Sequence, residues 1–420
     1  MQAVILAAGE SSRFWPLNQK HKSLIGIMGK PLLYWTIKAL LEKGIKDIIL
    51  VINPNSFPQK EIKEKLADLD IKLSLVIQEK PLGTGDAIFR AKDLVREPFL
   101  ISWPYKVYAG EIIDKILEKY KKGQRFVLVG SKTLTPWEYG IFKIADNKVV
   151  EIVENPKPGQ EPSKIKMLGL HFLEPDFFDY YQKVRKHHSE DFIDALNLYL
   201  NDKKASFLLL DKEPPTLKYP WQLFELLKSA FESNKFKNYL SPSAIIGKNV
   251  VIKGKVFIGE NTKIGENTVI NGPCYIGKNC QIGANNIFRG PVNLENNVLT
   301  GSFCEIKNNI IQEDTHLHSG YFGDSIIGKN CRFGAGFITA NRRLDRENIK
   351  SVVKGKKIDT GLTYLGTIVG DNTRFGVQVS TMPGVLIGSN CVVGPGTQVF
   401  ENLNDNLTLY TKSKEIIKKN

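Results

Sequence analysis

The chain has 420 residues, 42% of them hydrophobic, and a formal net charge of +14 at pH 7. This length can bury two substantial cores, so we expect two domains with a boundary near residue 235. No apolar run approaches membrane-spanning length, the apolar N-terminus lacks a basic leader, and the lysines are spread out rather than gathered in one block. We therefore expect neither a membrane nor a nucleic-acid partner. The five cysteines are odd in number, which favours reduced buried thiols and a cytoplasmic location.

The first half of the chain alternates predicted strands and helices. Residues 2–8 form an apolar strand that ends in Ala8-Gly9-Glu10-Ser11-Ser12-Arg13, and helical spacing follows over residues 31–43. Backbone amides of such a loop, with the charges of Arg13 and Lys22, are suited to phosphate groups. Further strands are predicted at 47–52, 72–77, 99–102 and 125–131, and helices at 59–69, 85–95, 110–121 and 219–233. This alternation predicts an α/β domain with a mostly parallel sheet and a site at the strands' carboxyl ends.

The second half is organised by a hexapeptide repeat. An apolar residue returns at every sixth position at Ile246, Ile252, Ile258, Ile264, Ile270, Ile276, Ile282, Phe288 and Leu294. A period of six fits neither a helix nor a lone strand, but it fits short strands stacked coil upon coil. Asparagines such as Asn261 and Asn279 are suited to the tight corners, because they tolerate left-handed backbone angles. The pattern predicts a β-solenoid that resumes, after an interruption, at Ile327.

Several motifs carry a family resemblance. The run from Leu6 to Leu17, then Lys22 and Gly29-Lys30-Pro31, resembles the opening signature of the sugar-phosphate nucleotidyltransferases. Gln78 with Leu82-Gly83-Thr84-Gly85 resembles the base-reading segment of that family. Together with the hexapeptides, the resemblance extends to the archaeal-type bifunctional enzymes that make UDP-N-acetylglucosamine. It implies a Rossmann-like nucleotidyltransferase domain over 1–233, a linker over 234–241, and a left-handed parallel β-helix over 242–420 with an inserted loop at 341–362.

The resemblance also assigns binding residues in the first domain. It implies nucleotide contacts by Ala8, Gly9, Arg13, Lys22, Gln78, Gly83 and Thr84, and sugar contacts by Gly140 and Glu154.

The positions that hold magnesium in this family differ here. The family binds catalytic Mg²⁺ between two aspartates, and these positions appear as Tyr105 and Thr216. A phenol with a pKa of ~10 stays neutral near pH 7, and a hydroxyl carries no charge, so both anionic ligands are missing. The sequence therefore predicts no metal ligand, and metal-dependent nucleotidyl transfer is in doubt.

A second group of chemically interesting residues lies between Thr300 and Ile327, where the hexapeptide rhythm fails. His318-x-x-Tyr321-x-Gly323-Asp324 resembles the acetyltransferase signature of the same family, in which the histidine is the general base and acetyl-CoA the co-substrate. An imidazole with a pKa near ~6.5 can take a proton from an ammonium nucleophile at neutral pH. Glu305 is a candidate to orient the ring.

The resemblance extends to the residues around this histidine. It assigns the amino-sugar phosphate to Arg289, Lys307 and Tyr321, and an acetyl-CoA contact to Asn341. The alternative for Arg289 and Lys307 is a solvated position at the coil edge. Arg332 departs from the pattern, because relatives carry there an asparagine that touches the sugar.

The favoured interpretation is a transferase of amino-sugar nucleotide synthesis, acting on nucleotide and sugar-phosphate small molecules and assembled as a homotrimer through the β-helix. Acetyl transfer is better supported than nucleotidyl transfer. One alternative is a non-catalytic protein that senses a sugar nucleotide on a trimeric scaffold. Another is an active nucleotidyltransferase whose β-helix is purely structural. Turnover with acetyl-CoA, or with magnesium and UTP, separates these three.

Overall fold

The computed structural model describes residues 1–146, 148–233, 236–412 and 417–418. Residues 234–235 of the predicted linker lie outside the described residues. Contacts divide the chain into one unit of Met1–Glu10 with Pro31–Pro215, and a second unit of Ser11–Lys30 with Thr216–Asn420. Residues 11–30 thus group with the second half of the chain. The predicted domain boundaries at 233 and 242 stay a prediction.

The first unit is built on one sheet. In spatial order its strands are Lys72–Ile77, Asp47–Ile52, Gln2–Ala7, Phe99–Ser102, Leu170–Leu173, Val127–Lys132, Ile165–Met167, Gly140–Ala145 and Lys148–Glu154, with Ser206–Leu210 beside Val127–Lys132. Every residue of Gln2–Ala7 is buried, so this strand is covered on both faces. Such continuous apolar runs are typical of parallel strands inside an α/β domain.

The sheet is mixed, so the expectation of a mostly parallel sheet was wrong. Gln2–Ala7 runs parallel to both of its neighbours. Leu170–Leu173 instead pairs antiparallel with Phe99–Ser102, and Gly140–Ala145 pairs antiparallel with Lys148–Glu154. For the second pair the reason is the connection: only two residues of the sequence separate Gly140–Ala145 from Lys148–Glu154, and strands joined by so short a connection can pair only antiparallel.

The α-helices Leu32–Leu41, Gln59–Lys65 and Ala109–Lys121 of the first unit agree with predicted ones to within a few residues. Thr84–Phe89 is shorter than the predicted 85–95, and the helices Phe177–Gln182 and Asp191–Asp202 were not predicted from the sequence. Leu223–Glu232, predicted as part of 219–233, is a helix of the second unit. The first unit's core contains a cluster of aromatic rings, in which Phe99 stacks on Phe178 with 5.6 Å between ring centroids.

The second unit is a parallel β-helix, as the hexapeptides predicted. One ladder contains Ile245–Ile246, Lys263–Ile264, Gln281–Ile282, Leu299–Thr300, His316–Leu317, Arg332–Phe333, Arg374–Phe375, Val392–Val393 and Thr408–Leu409. The other sheet contains Tyr239–Leu240, Val251–Lys253, Val256–Ile258, Val269–Asn271, Cys274–Ile276, Ile287–Leu294, Cys304–Ile311, Gly320–Gly323, Ile326–Ile327, Phe337–Thr339, Ile368–Val369, Ser380–Thr381, Leu386–Ile387 and Gln398–Val399. The apolar residues of successive hexapeptides pack into one continuous core.

One turn of the β-helix takes three hexapeptides. Asn261 donates its side-chain amide to Asn279, 18 residues further on, and Asn279 does the same to Asn297. All three have positive φ angles, between 55° and 60°. The predicted role of asparagine at the corners is confirmed. The repeating apolar residues are less completely buried where the β-helix begins. Ile252 is 41% exposed, because its strand has a neighbouring coil on one side only.

The β-helix is interrupted by an insertion. Asn330 and Asn372 stack as corner residues although they are 42 residues apart. The additional residues include the hairpin Lys350–Val353 with Lys356–Asp359, inside the predicted loop 341–362. The five cysteines are free and buried, as predicted. Among the described residues, no helix is long and apolar enough to cross a membrane.

Candidate functional site

The nucleotide-binding candidates of the first unit lie at the carboxyl ends of parallel strands. Ala8 and Gly9 follow Gln2–Ala7, and Gln78 follows Lys72–Ile77. The buried Gln78 donates its side-chain amide to the Gly83 carbonyl at 3.1 Å and to Asp86 Oδ2 at 2.7 Å. These bonds fix the loop that ends at Thr84, the first residue of a helix. The crevice outside the carboxyl ends of parallel strands is where open α/β sheets bind their ligands, and this loop lies at that end of the sheet.

Gly83 is required in this loop for two reasons. Its φ angle is +117°, a conformation that L side chains rarely adopt. A Cβ atom at this position would also lie 2.6 Å from the carbonyl oxygen of Ser189. This loop is therefore held against Ser189, which precedes the helix Asp191–Asp202.

The sugar-binding candidates Gly140 and Glu154 are cross-strand partners in an antiparallel pair. Glu154 Oε1 accepts a hydrogen bond of 3.0 Å from the side chain of Asn155. The sheet thus brings together two residues that the sequence separates by a hairpin.

Arg13 and Lys22 belong to the second unit. Arg13 lies in a short 3₁₀ turn, Ser12–Phe14. Lys22 Nζ donates to the carbonyl oxygen of Leu217 at 2.5 Å, and its backbone amide donates to Ser11 Oγ at 3.2 Å. Burial first, and the charge of Arg13 second, lower the pKa of Lys22 to about 8. A bound anion would favour the charged form of this lysine, as expected of a phosphate contact.

The positions of the family's metal ligands do not fit a divalent cation. The ring of Tyr105 lies 5.6 Å from the ammonium group of the buried Lys106. Thr216 Oγ1 accepts a hydrogen bond of 3.0 Å from Gln222. An ammonium group repels a divalent cation, and a phenol and a threonine hydroxyl offer it no carboxylate oxygen. Within the described residues, no group of three or more His, Cys, Asp and Glu side chains could hold a metal ion.

The acetyltransferase candidates of the β-helix lie on adjacent strands of one sheet. Arg289 is paired in register with Lys307, and Glu305 is paired with Tyr321. Arg289 donates to Glu305 Oε1 at 2.6 Å. The carboxylate that was a candidate partner of His318 is thus engaged by an arginine.

Asp324 is the centre of this group of side chains. It is buried, and its two oxygens accept hydrogen bonds from three side chains: Lys307 Nζ at 2.8 Å, Asn308 Nδ2 at 2.8 Å and Asn341 Nδ2 at 2.5 Å. Asn341 also donates to the hydroxyl oxygen of Tyr321 at 3.0 Å. We call these five residues the Asp324 cluster. It joins three of the predicted substrate-binding residues: Lys307, Tyr321 and Asn341.

The predicted base, His318, lies at the end of the strand His316–Leu317 and is exposed. Its backbone amide donates to the Phe333 carbonyl at 3.0 Å, which fixes the main chain below the ring. Arg332, which departs from the family pattern, is engaged with the main chain: its guanidinium donates to the carbonyl oxygens of Asp314 and Cys331. Its charge, after burial, lowers the pKa of the neighbouring His316.

Two residues of this region were not assigned a role from the sequence. Asp324 was visible as the last residue of the His318 motif, yet nothing in the motif reveals that three side chains converge on it. Tyr364 follows the inserted loop, and its ring lies 4.3 Å from Lys307 Nζ and 4.7 Å from Arg342 Cζ. No signal in the sequence pointed to Tyr364, because the insertion separates it from Lys307.

The fold and the two groups of residues define a nucleotidyltransferase-type domain joined to a hexapeptide-repeat β-helix. Residues 2–215 match the nucleotidyl transferase family. Residues 255–290 match the bacterial transferase hexapeptide repeat, and residues 366–400 match the hexapeptide repeat of succinyl-transferase.

Relatives of the same length narrow the family further. The bifunctional protein GlmU of Methanococcus maripaludis (strain C7) is 37% identical, over 100% of this chain and 99% of the relative. GlmU of Methanocaldococcus jannaschii is 34% identical over 100% of both chains. The bifunctional sugar-1-phosphate nucleotidylyltransferase/acetyltransferase of Sulfurisphaera tokodaii is 32% identical over 95% of this chain and 97% of the relative. The chain belongs to this family of bifunctional transferases.

Proposed function

We propose that the β-helix transfers an acetyl group from acetyl-CoA to the amine of glucosamine-1-phosphate. The observation that carries the proposal is the Asp324 cluster, which fixes a lysine, a phenol and an amide on the coils that also carry the exposed His318. The names of the relatives in Methanococcus and Sulfurisphaera, which describe bifunctional proteins and an acetyltransferase, support it.

Each residue has a distinct part in the proposed reaction. Lys307 and Arg289 bind the phosphate of the amino sugar. Burial raises the pKa of Tyr321, so it stays a neutral phenol that donates its O–H. His318 takes the proton that the ammonium group must lose before its nitrogen can attack. The C–N bond then forms as the C–S bond of the thioester breaks, and the second proton of the nitrogen goes to the leaving thiolate.

We further propose that the site is completed by a neighbouring subunit in a homotrimer. Large apolar side chains are exposed along the β-helix, including Phe303 (71%), Ile338 (50%) and Val377 (49%). Ile338 is paired in register with Tyr321, so an exposed apolar side chain adjoins the substrate-binding group. Exposed apolar residues of this kind commonly mark a subunit interface. Light scattering should give three times the monomer mass, and a monomer at micromolar concentration would contradict the proposal.

The first domain is proposed to bind a nucleotide or sugar nucleotide and to form it slowly or not at all. Gly9 and Gln78, which follow the ends of parallel strands, and the loop at Gly83 that Gln78 holds support binding. The replacement of both carboxylate ligands by Tyr105 and Thr216 supports slow turnover, since metal ions contribute several kcal/mol of charge stabilisation in such reactions. In this proposal the domain uses no bound Mg²⁺.

The decisive experiment for acetyl transfer is His318→Ala. We expect a rate with acetyl-CoA and glucosamine-1-phosphate that is ~10²–10⁴-fold below the parent, because a positioned general base contributes about this much. The assembly should be unchanged, since His318 is exposed. His316→Ala, two residues earlier in the strand that precedes His318, is the matched control and should retain activity. Equal turnover of His318→Ala and the parent would refute the role, and no turnover by the parent would favour the non-catalytic sensor.

A further inference from the structure

The cations around the Asp324 cluster outnumber the carboxylates that contact them. Arg289 pairs with Glu305 at 2.6 Å, and Lys307 pairs with Asp324 at 2.8 Å. Arg342, at the start of the inserted loop, adds a third positive charge. Across the ranges that the structure describes, no carboxylate forms an ion pair with Arg342. Its charge is therefore the one in this group that no directly contacting carboxylate offsets.

Arg342 packs against an aromatic ring that it shares with Lys307. The centre of the Tyr364 ring lies 4.7 Å from Arg342 Cζ and 4.3 Å from Lys307 Nζ. Each contact is a cation–π interaction, which is attractive because the face of the ring carries negative charge density. The two cations near this ring repel each other. A bound anion would offset that repulsion.

The backbone fixes both ends of the insertion beside the Asp324 cluster. The amide of Leu365 donates to the carbonyl oxygen of Asn341 at 3.0 Å. The amide of Gly366 donates to the carbonyl oxygen of Asp324 at 2.8 Å. These two bonds place Arg342 and the ring that it contacts next to the cluster, although the insertion separates them in the sequence.

The guanidinium of Arg342 is not committed to an acceptor of the chain. Its Nε is buried and makes no hydrogen bond within the described part of the protein. The surroundings are open to solvent, since Tyr364 is 39% exposed and the side chain of Lys307 is 22% exposed. A guanidinium presents its donors in a planar fork that matches the oxygens of a phosphate. A phosphate is thus the ligand that the charge and the geometry of this place favour.

We propose that Arg342 binds the phosphate group of the amino sugar together with Lys307, and that Tyr364 is the positioning residue for both cations. The inference rests on the proposed acetyl transfer, which makes this phosphate part of a substrate. A phosphate monoester carries about −1.5 to −2 charges near pH 7. Lys307 is already paired with Asp324, so Arg342 supplies the positive charge that remains for the ligand. The insertion is in this way part of the substrate-binding site.

The test is the affinity of the full-length protein for glucosamine-1-phosphate, measured by calorimetry and as KM in acetyl transfer. Arg342→Met should weaken binding and raise this KM by about 10- to 100-fold, because a hydrogen bond to a charged group contributes roughly this much. The preference of the parent for glucosamine-1-phosphate over glucosamine should fall by the same factor. Arg342→Lys keeps the charge without the fork and should recover part of the affinity. KM for acetyl-CoA and kcat should stay near the parent values, as expected for a contact that is equally strong in the ground and transition states.

The role of the ring is tested by two variants of Tyr364. Tyr364→Leu removes the aromatic face and should raise KM for glucosamine-1-phosphate by about 2- to 30-fold, the range of a cation–π contact. Tyr364→Phe keeps the ring and should behave like the parent. If Tyr364→Leu lowers the melting temperature and leaves KM unchanged, the ring is structural and its positioning role is overturned.

A matched control comes from the neighbouring arginine of the same loop. Arg343 is half-buried and pairs with Asp345. Arg343→Met removes the same charge from the same loop and should bind glucosamine-1-phosphate like the parent.

The outcomes separate the phosphate site from the proposed reaction. Equal affinity of Arg342→Met and the parent overturns the inference, and so does a rise in KM for acetyl-CoA alone, which would assign Arg342 to a phosphate of the coenzyme. A smaller assembly of Arg342→Met in light scattering also overturns it, because the guanidinium would then be paired across a subunit interface. If the parent binds glucosamine-1-phosphate through Arg342 but transfers no acetyl group, the phosphate site stands and the proposed reaction falls. If the parent does not bind this sugar phosphate, both fall.

Discussion

Replacing Asp324 by asparagine should damage both the stability and the activity of the β-helix. The carboxylate accepts bonds from Lys307, Asn308 and Asn341. An asparagine has one acceptor oxygen, so its NH₂ group must face at least one of these donors. The substitution keeps the size of the side chain and removes only the charge and one acceptor.

The magnitude follows from the burial of the pair. The Asp324 side chain is 4% exposed and that of Lys307 is 22% exposed. Breaking a buried ion pair by removing one partner costs roughly 3–5 kcal/mol. Because water reaches part of Lys307, we expect a smaller loss of about 2–4 kcal/mol in the free energy of unfolding of the β-helix. Because Lys307 and Asn341 would no longer be held in position, kcat/KM for acetyl transfer should fall by about 10²-fold.

The assays are thermal unfolding and acetyl transfer on the same preparations. Asp345→Asn is the control, since this exposed carboxylate pairs with Arg343 in the inserted loop and should affect neither quantity. Lys307→Met combined with Asp324→Asn removes the unpaired charge and should recover part of the stability but none of the activity. Parent-like stability and rate in Asp324→Asn would refute the assignment of a central role to this carboxylate.

Two further predictions concern the first unit and the missing metal ligands. Release of pyrophosphate from UTP and N-acetylglucosamine-1-phosphate by the parent should be far slower than ~1–10³ per second, and a parent rate in that range would refute the proposed impairment. Burial first, and Lys106 second, lower the pKa of His171 to about 3. As the pH falls, His171 is therefore protonated in the unfolded chain before it is protonated in the folded one. The free energy of unfolding is at its full value above about pH 6.5 with respect to this group, and it decreases as the pH falls from there toward 3. His171→Gln should reduce this loss in acid unfolding curves, and identical pH profiles would contradict it.

The sequence by itself determined the elements that depend on local pattern. The hexapeptide period predicted the β-helix, its asparagine corners and the position of its insertion, because each coil repeats the same six-residue pattern of apolar and corner residues. Continuous apolar runs located strands such as Asp47–Ile52 at their observed ends. The family motifs named the candidate residues, and the relatives confirmed the family.

Only the tertiary structure decided which of these residues act together. Three donors converge on Asp324 from Lys307, Asn308 and Asn341, and no periodicity encodes that convergence. Gly26 is bound by Gln312, 286 residues further along the chain. A local pattern reports which face of an element is buried, whereas these contacts depend on how distant coils and turns are brought together. For that reason the sequence predicted the β-helix, while the structure alone showed that residues 11–30 are built into it.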